Sequence, residues 1–418
     1  MYIALRLLVV IILCLWSLPD AASAKSFKVN SGFDVNDLTP GNGLCVAYLT
    51  IFPPFVIPFC TLRAAVEESN SLPGEDSIEL PSGIFSFDRG ERDEDNALSG
   101  DLDITESLTI RGKGPNATII DAKYLDRIFD IRDPGAKVTL QDLSLVNGRI
   151  QSRRETVFSG GGAIRNRGNL VLRNVVLLQH RVSGGGVYDQ GGIVQNSGQC
   201  LISHSTLQSG SAYEGGGLYN DRDGNATIRS STLSGNDAVS GAAVFNNGML
   251  RAVNSTFSGN GTVRTEFGGG LNNRRDLVFE HVTVARNQAV NGGGVSSKGS
   301  FSLHNTIIAE NSTNDCYQIT PILSEGSNLD SDGSCGMDHP NDYPAAIAGL
   351  RGLEKNGGVT ETHGLFLFSE ARDNGSRVDE VLVDQRGVAR PWGAKVDIGA
   401  VEFNGFPVVP MVYPLLKP

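Results

Sequence analysis

Between Gly162 and Asn311 the apolar residues of this chain recur at two spacings at once. The short spacing is two, an apolar residue followed by a variable one, which is the pattern of a strand with one buried face. The long spacing is roughly 24 to 31 residues, which is the length of one repeated unit. Segments starting at Gly162, Gly192, Gly217, Ala243, Gly270 and Gly294 align without gaps, apart from a two-residue insertion near Arg222. One column then holds Leu170, Cys200, Ala226, Leu250, Leu277 and Phe301, and two positions on come Leu172, Ile202, Ile228, Ala252, Phe279 and Leu303. A third apolar column is Leu177, Leu207, Leu233, Phe257, Val284 and Ile308. Between the first two columns the residues vary freely, as Val171, Leu201, Thr227, Arg251, Val278 and Ser302. The pattern predicts that Leu250 points inward and Arg251 outward.

No single unit can bury its apolar columns alone, but neighbours stacked about 4.8 Å apart can. The fold class this predicts is all-β, a right-handed parallel β-helix. Gly triplets suit its sharp turns, where the backbone needs positive φ. The column Asn166, Asn196, Asn220, Asn246, Asn273 and Ser297 suits a turn that accepts left-handed backbone, and its amides are placed to hydrogen-bond up the stack. A second polar column, Asn174, His204, Ser230, Asn254, His281 and Asn305, marks another corner and makes the two histidines turn residues rather than catalysts. Upstream, Leu108/Ile110, Ile119/Ile120, Phe129/Ile131 and Val138/Leu140 read as strands of earlier coils. Leu62, Ala65 and Val66 have helical spacing, so Thr61 to Ser69 is expected to form a short helix that covers the first coil and its open edge. The expected organisation is a leader at 1–24, an N-terminal cap at 25–77, the β-helix at 78–311, a loop-rich C-terminal cap at 312–403 and a short Pro-rich tail at 404–418.

The leader changes the compartment. Arg6, an apolar run from Leu7 to Leu18 and Ala22-Ser23-Ala24 have the form of a cleavable export signal. The protein is therefore expected outside the cell or at its surface. The net charge of −11 disfavours nucleic acid as a partner. Past the leader, no segment is long and apolar enough to cross a membrane. In an oxidising compartment Cys45 with Cys60 and Cys316 with Cys335 would close two short loops in the caps. Cys200 falls in an inward column and is expected as a buried thiol.

The flanking segments resemble known ones. Gly41-Asn42-Gly43-Leu44-Cys45 followed by Cys60-Thr61-Leu62-Arg63-Ala64-Ala65-Val66-Glu67 is similar to the CSLREA segment of bacterial exported β-helix proteins, and Gly100-Asp101-Leu102-Asp103-Ile104 and Ile119-Ile120-Asp121 fit the same group. Gly326-Ser327-Asn328-Leu329, Asn356-Gly357-Gly358, Thr362-His363, Asp384-Gln385-Arg386-Gly387, Arg390-Pro391 and Asp397-Ile398-Gly399-Ala400-Val401-Glu402 resemble the choice-of-anchor Q domain. The resemblance implies a β-helix scaffold on a bacterial surface or in the medium. It brings no reaction, and the tail after Phe403 shows no sorting signal.

The outward column ahead of the Asn column reads Arg165, Gln195, Tyr219, Phe245, Asn272 and Ser296, which puts the Tyr219 and Phe245 rings side by side on adjacent coils. Arg165, Tyr219 and Phe245 are therefore the candidate ligand-binding residues, with the two rings expected to face solvent as a platform for sugars. The stretch Asp88 to Asp103, with Asp93, Glu94, Asp95, Asp101 and Asp103, offers oxygen ligands of the kind Ca²⁺ takes. It has no ordered ligand spacing and reads as a solvated acidic loop, so neither metal nor other cofactor is expected. Arg149, Arg153 and Arg154 form a basic patch on a long loop. No carboxylate pair for glycoside hydrolysis can be picked from the scattered Asp189, Asp221, Asp223 and Asp237. Neither Gly-x-Ser-x-Gly nor His-Glu-x-x-His occurs, and Gly160-Gly161-Gly162 is a repeated turn rather than a nucleotide loop. No catalytic residue is assigned. The reading is a secreted or surface-associated scaffold that binds glycan or another extracellular partner; the alternative is a polysaccharide lyase or glycoside hydrolase working in a groove of the same fold.

Overall fold

The computed structural model describes residues 24–52, 55–90, 97–151, 160–318 and 320–405, without the side chains of 49–57. The leader up to residue 23 and the tail from 406 lie outside this range, as do Asp93, Glu94, Asp95, Arg153 and Arg154. The described chain is a right-handed parallel β-helix. One parallel sheet has nine strands, running from Leu102–Ile104 and Phe129–Ile131 through Ile164–Asn166, Val194–Asn196 and Leu218–Asn220 to Cys316–Gln318. A second sheet of nineteen strands contains two strand columns per coil, as in Gln199–Ser203 followed by Thr206–Gln208. In-register pairing such as Cys200 with Ala226 and Ala226 with Leu250 places the three apolar columns inside, where they form one continuous core. Phe257, Phe279 and Phe301 stack through that core at centroid distances of 5.7 and 5.3 Å.

The corners have a clear physical cause. Asp142, Asn174, His204, Ser230, Asn254, His281 and Asn305 all take φ between 46° and 57°, a left-handed bend of one residue between the two strand columns. That conformation costs most L-residues about 1–2 kcal/mol, and short polar side chains tolerate it best. The Asn166 column has no such bend, contrary to the sequence reading. Its side chains act instead as a ladder: Asn166 Nδ2 donates to Asn196 Oδ1 at 2.7 Å, Asn196 to Asn220 at 2.8 Å, Asn220 to Asn246 at 2.8 Å and Asn246 to Asn273 at 2.9 Å. A second ladder joins Asn236, Asn260, Asn287 and Asn311. These amides are buried, except for the half-buried Asn311, and each has a partner a coil away, so the ladders set coil spacing without leaving polar groups unpaired.

The helix Leu62–Asn70 closes the N-terminal end, capped by the Thr61 hydroxyl, with Ala64, Ala65 and Val66 fully buried. Arg63 on it is buried too, paired with Asp34 and donating to the Ala97 and Gly100 carbonyls at 2.8 Å each. Disulfides join Cys45 to Cys60 and Cys316 to Cys335, while Cys200 is a free, buried thiol whose pKa burial pushes up to about 12. The coils continue past Asn311: Cys316–Gln318, Leu323–Ser324 and Leu329–Asp330 all stack on the preceding rungs.

The C-terminal segment does not simply seal the far end. It runs back along the outer face of the second strand column, where small residues make room for it. Gln385 accepts from Thr256 Oγ1 at 2.7 Å and donates to Thr232 Oγ1 at 2.9 Å. His363 Nε2 meets Ser258 Oγ at 2.8 Å, and the Ala400 N–H donates to Thr283 Oγ1 at 3.0 Å. Ile398, Ala400 and Val401 form a second small core with Ala285, Ile307 and Ala309. The motifs around Gln385, Arg390 and Glu402 are thus fasteners of this strap. No helix among the described residues is long and apolar enough to cross a membrane.

Candidate functional site

With the second strand column under the strap, the outer face of the nine-stranded sheet is the long face that carries a continuous line of chemistry-bearing side chains. In-register pairing sets Asp103, Asp130, Arg165, Gln195, Tyr219, Phe245, Asn272, Ser296 and Tyr317 in one row. At about 4.8 Å per rung the row is about 38 Å long. One flank carries Arg132, Arg167, Asp221, Arg274 and Lys298, the residues just after each strand. The other carries Gln190, Glu214, Ser240, Phe267 and Asn291, bridged coil to coil.

The row falls into three parts. At its N-terminal end the carboxylate oxygens of Asp101, Asp103 and Asp130 lie within 4.8 Å of one another. The acidic loop expected in solvent is thus buried at Asp101 and Asp103, because alternation turns Leu102 and Ile104 into the core while Asp103 joins the outer row. Each carboxylate has a guanidinium partner: Arg127 holds Asp101, Arg165 Nε donates to Asp130 Oδ1 at 2.8 Å, and Arg132 Nη1 stands 3.6 Å from Asp103 Oδ1. Arg167 adds a fourth cation, its pKa lowered by burial and by Arg165. Four guanidiniums thus surround the three carboxylates as an ion-pair lattice, in which Asp103 Oδ1 is buried without a hydrogen-bond partner.

Burial pushes the Asp103 pKa up to about 7, and the Asp101 and Asp130 charges add to the effect. Burial alone would raise Asp130 as well, but the Arg165 hydrogen bonds and the charges of Arg127 and Arg165 hold it below the usual carboxylate range. Asp103 therefore holds a proton more tightly in the folded chain than in the unfolded one between about pH 4 and 7. Its contribution is fully favourable at low pH and is lost as the pH rises through 7. Replacing Asp103 with Asn should leave urea stability near pH 4 unchanged and raise it at pH 8 relative to the parent. Urea melts at the two pH values check this; a difference that does not grow with pH contradicts it.

In the middle of the row the Tyr219 and Phe245 rings lie side by side, with centroids 5.3 Å apart and planes 8° from parallel. The adjacency read from the alignment is correct, but the solvent exposure is not. Tyr219 is 6% exposed and Phe245 1%, because side chains from the flanks lean over them. The Arg274 guanidinium sits 4.7 Å from the Phe245 centroid. Burial, then the nearby Glu214 and Asp221 charges, push the Tyr219 phenol up. Burial also raises Glu214, against the pull of Arg274 and Gln190. Arg165, the third candidate, is tied into the ion-pair lattice.

The exposed aromatic surface lies further along. Tyr317 is 37% exposed, 6.3 Å from the half-buried Phe267 ring, and the Lys298 ammonium stands 5.7 Å from that ring. Sequence reading missed this group for two reasons. The sequence period fails after Asn311, which leaves Tyr317 outside the aligned column, and Phe267 precedes the Gly run on which the columns align. Continuing the inward column from Val295 to Cys316 would have found Tyr317.

No protein-family model matches the chain, and no curated protein matches it. Among solved structures, a pectate lyase is similar at 12% identity, over 92% of this chain and 98% of that one, with a TM-score of 0.38. A PL6 family alginate lyase is similar at 12% identity over 86% and 59%, with a TM-score of 0.34. A pectin methylesterase crystallised with a hexasaccharide is similar at 12% identity over 62% and 76%, with a TM-score of 0.30. At these values the likeness says nothing about the residues of the row.

Proposed function

We propose that this protein is an exported or surface-associated β-helix that binds an extended glycan along the outer face of its nine-stranded sheet, without cleaving it. The observation that carries the reading is the pair of exposed Tyr317 and half-buried Phe267, with Lys298, at the open end of a row about 38 Å long. Rings accept the apolar face of a sugar, while a cation beside them pairs with a carboxylate or donates to hydroxyls. Arg165, Tyr219 and Phe245 build the floor under the ligand, set rigidly by ion pairing and ring stacking. Two disulfides suit an oxidising compartment, as do the leader and the resemblance to CSLREA and choice-of-anchor Q proteins.

The test is retention of the purified protein on a panel of neutral and acidic polysaccharides. Aromatic contacts of this kind contribute about 0.5–1.5 kcal/mol each, so the double change Phe267→Ala and Tyr317→Ala should weaken retention roughly tenfold. Undiminished retention would remove the pair from the site. A second reading, glycoside hydrolysis, is favoured by one observation: Asp103, protonated up to about pH 7, stands beside the ionised Asp130. Paired carboxylates of unlike pKa are what acid catalysis of glycoside cleavage needs. The arginine pairing and burial of both weigh against it. New reducing ends in the same incubations, lost in Asp103→Asn, would establish it.

A further inference from the structure

The side of the coils opposite the glycan row carries a second constellation. On the outer face of the first strand column Glu280 stands in register with His304. The pairing continues from Leu303 to Ser324, which makes Glu325 the next residue in the column. His304 is thus flanked by two carboxylates. The strap passes over it and brings Ser376 from 72 residues away, with its Oγ 2.6 Å from His304 Nε2. Ser376 lines a cavity of about 470 Å³ together with Tyr343, Asn374, Arg377 and Lys395.

Three features separate this serine from one that only fastens the strap. The fastening is done by the backbone: the Ser376 N–H donates to Asn305 Oδ1 at 2.8 Å, and Asn305 Nδ2 donates to the Ser376 carbonyl at 2.9 Å. That clamp fixes the serine, whose hydroxyl lies 2.6 Å from His304 Nε2 and, more loosely, 3.4 Å from Asn305 Oδ1. Next, Glu280 is held by Arg251, which donates to Oε2 at 2.6 Å, while Oε1 is buried and has no hydrogen-bond partner. A buried carboxylate oxygen without a donor costs stability unless something protonated comes to it, and an imidazolium one rung away is such a group. Last, the cavity is lined by two cations, Arg377, which also pairs with Asp379 at 3.4 Å, and Lys395, and cations beside a reacting carbonyl favour the negative charge it develops.

We propose that Ser376 is a nucleophile, His304 its general base and Glu280 a positioning residue, and that together they hydrolyse short-chain carboxylic esters. Ser376 Oγ attacks the ester carbonyl carbon as its proton passes to His304 Nε2, and Glu280 stabilises the resulting imidazolium. The carbon–oxygen bond to the alcohol breaks, and the leaving alkoxide takes the proton from His304. Water then gives a proton to His304, the hydroxide attacks the acyl-serine, and Ser376 recovers the proton as the carboxylic acid leaves. A base must be neutral to start this sequence. Burial lowers the His304 pKa, with Glu325 and Glu280 opposing and His339 lowering it further, while Asp342 opposes from the loop after the last coil. The inference is independent of the glycan reading.

The experiment uses the full chain with p-nitrophenyl acetate as substrate and diisopropyl fluorophosphate as a label. Saturable hydrolysis is expected, with stoichiometric phosphorylation mapped to Ser376 by peptide mass. Ser376→Ala should lower kcat roughly a hundredfold or more, as expected for loss of a nucleophile activated by its base. His304→Asn should do the same and abolish labelling; circular dichroism on each variant guards against misfolding. Glu280→Gln should lower kcat with little change in KM. Equal rates in the parent and Ser376→Ala, or label on another residue, would overturn the proposal even if the protein retains glycans.

Discussion

Leu250→Asp is expected to lower the stability of the coils by about 5 kcal/mol or to prevent folding. Leu250 is 2% exposed and sits in register between Ala226 and Leu277, with the apolar columns of neighbouring coils around it. The change removes a buried aliphatic side chain and leaves a carboxylate among carbon atoms, where neither cation nor donor can reach it. Arg251→Asp, one residue along, should cost about 1 kcal/mol rather than nothing. Arg251 is outward but not idle: it pairs with Glu280, whose side chain is largely buried. Removing that cation and adding a second carboxylate leaves like charges facing each other. Thermal melts of the two variants should therefore rank far apart, and equal effects would refute the strand register.

Arg390→Ala is expected to release the strap while the coils stay folded. The Arg390 side chain is buried, pairs with Glu402, and donates to the Gly399 carbonyl at 2.8 Å and to Asn254 Oδ1 at 3.2 Å. It joins two separate stretches: the turn at 397–402 near the strap's end and the left-handed corner of one coil at Asn254. Removing one member of such a pair leaves the other charge buried, which costs about 3–5 kcal/mol. Hydrogen exchange gives the local readout. The Ile398 and Ala400 amides should lose protection by two or more orders of magnitude, consistent with about 3 kcal/mol. Strand amides beneath the Asn ladder, such as that of Leu218, should keep theirs. Equal loss at both sites would mean that strap and coils unfold as one unit.

The solenoid was legible because its cause is repeated. Six copies of the same alternation identify the inward columns, and Cys200 among Leu and Ala is enough to read it as a buried thiol. A left-handed corner occupied by Asn, His and Ser on successive coils is equally readable, since a single short polar residue is what that bend tolerates. The two disulfides followed from cysteine pairs that close short loops, although Cys316 lies on a strand of the nine-stranded sheet rather than in an irregular cap. The helix at Leu62–Asn70 came from spacing, and the structure adds the Thr61 cap.

What period could not convey is what lies over an outward position. Tyr219 and Phe245 occupy adjacent rungs, as the alignment requires. Their burial comes from Arg274 and the flanking turns, side chains whose reach varies from coil to coil and follows no repeat. Asp101 and Asp103 look like part of a solvated run until the fold pairs one coil with the next, sets Asp130 beside them and draws Arg127, Arg132 and Arg165 around all three. His304 and Ser376 meet because an aperiodic strap docks on a periodic surface. The sequence by itself determined the coil, its inward columns, one of its left-handed corners and its cysteine pairs, because each depends on a repeated pattern or on the closure of a short loop. Only the tertiary structure decided which outward residues are covered, which charges are paired and which groups from distant segments converge, because those depend on docking between surfaces that share no common period.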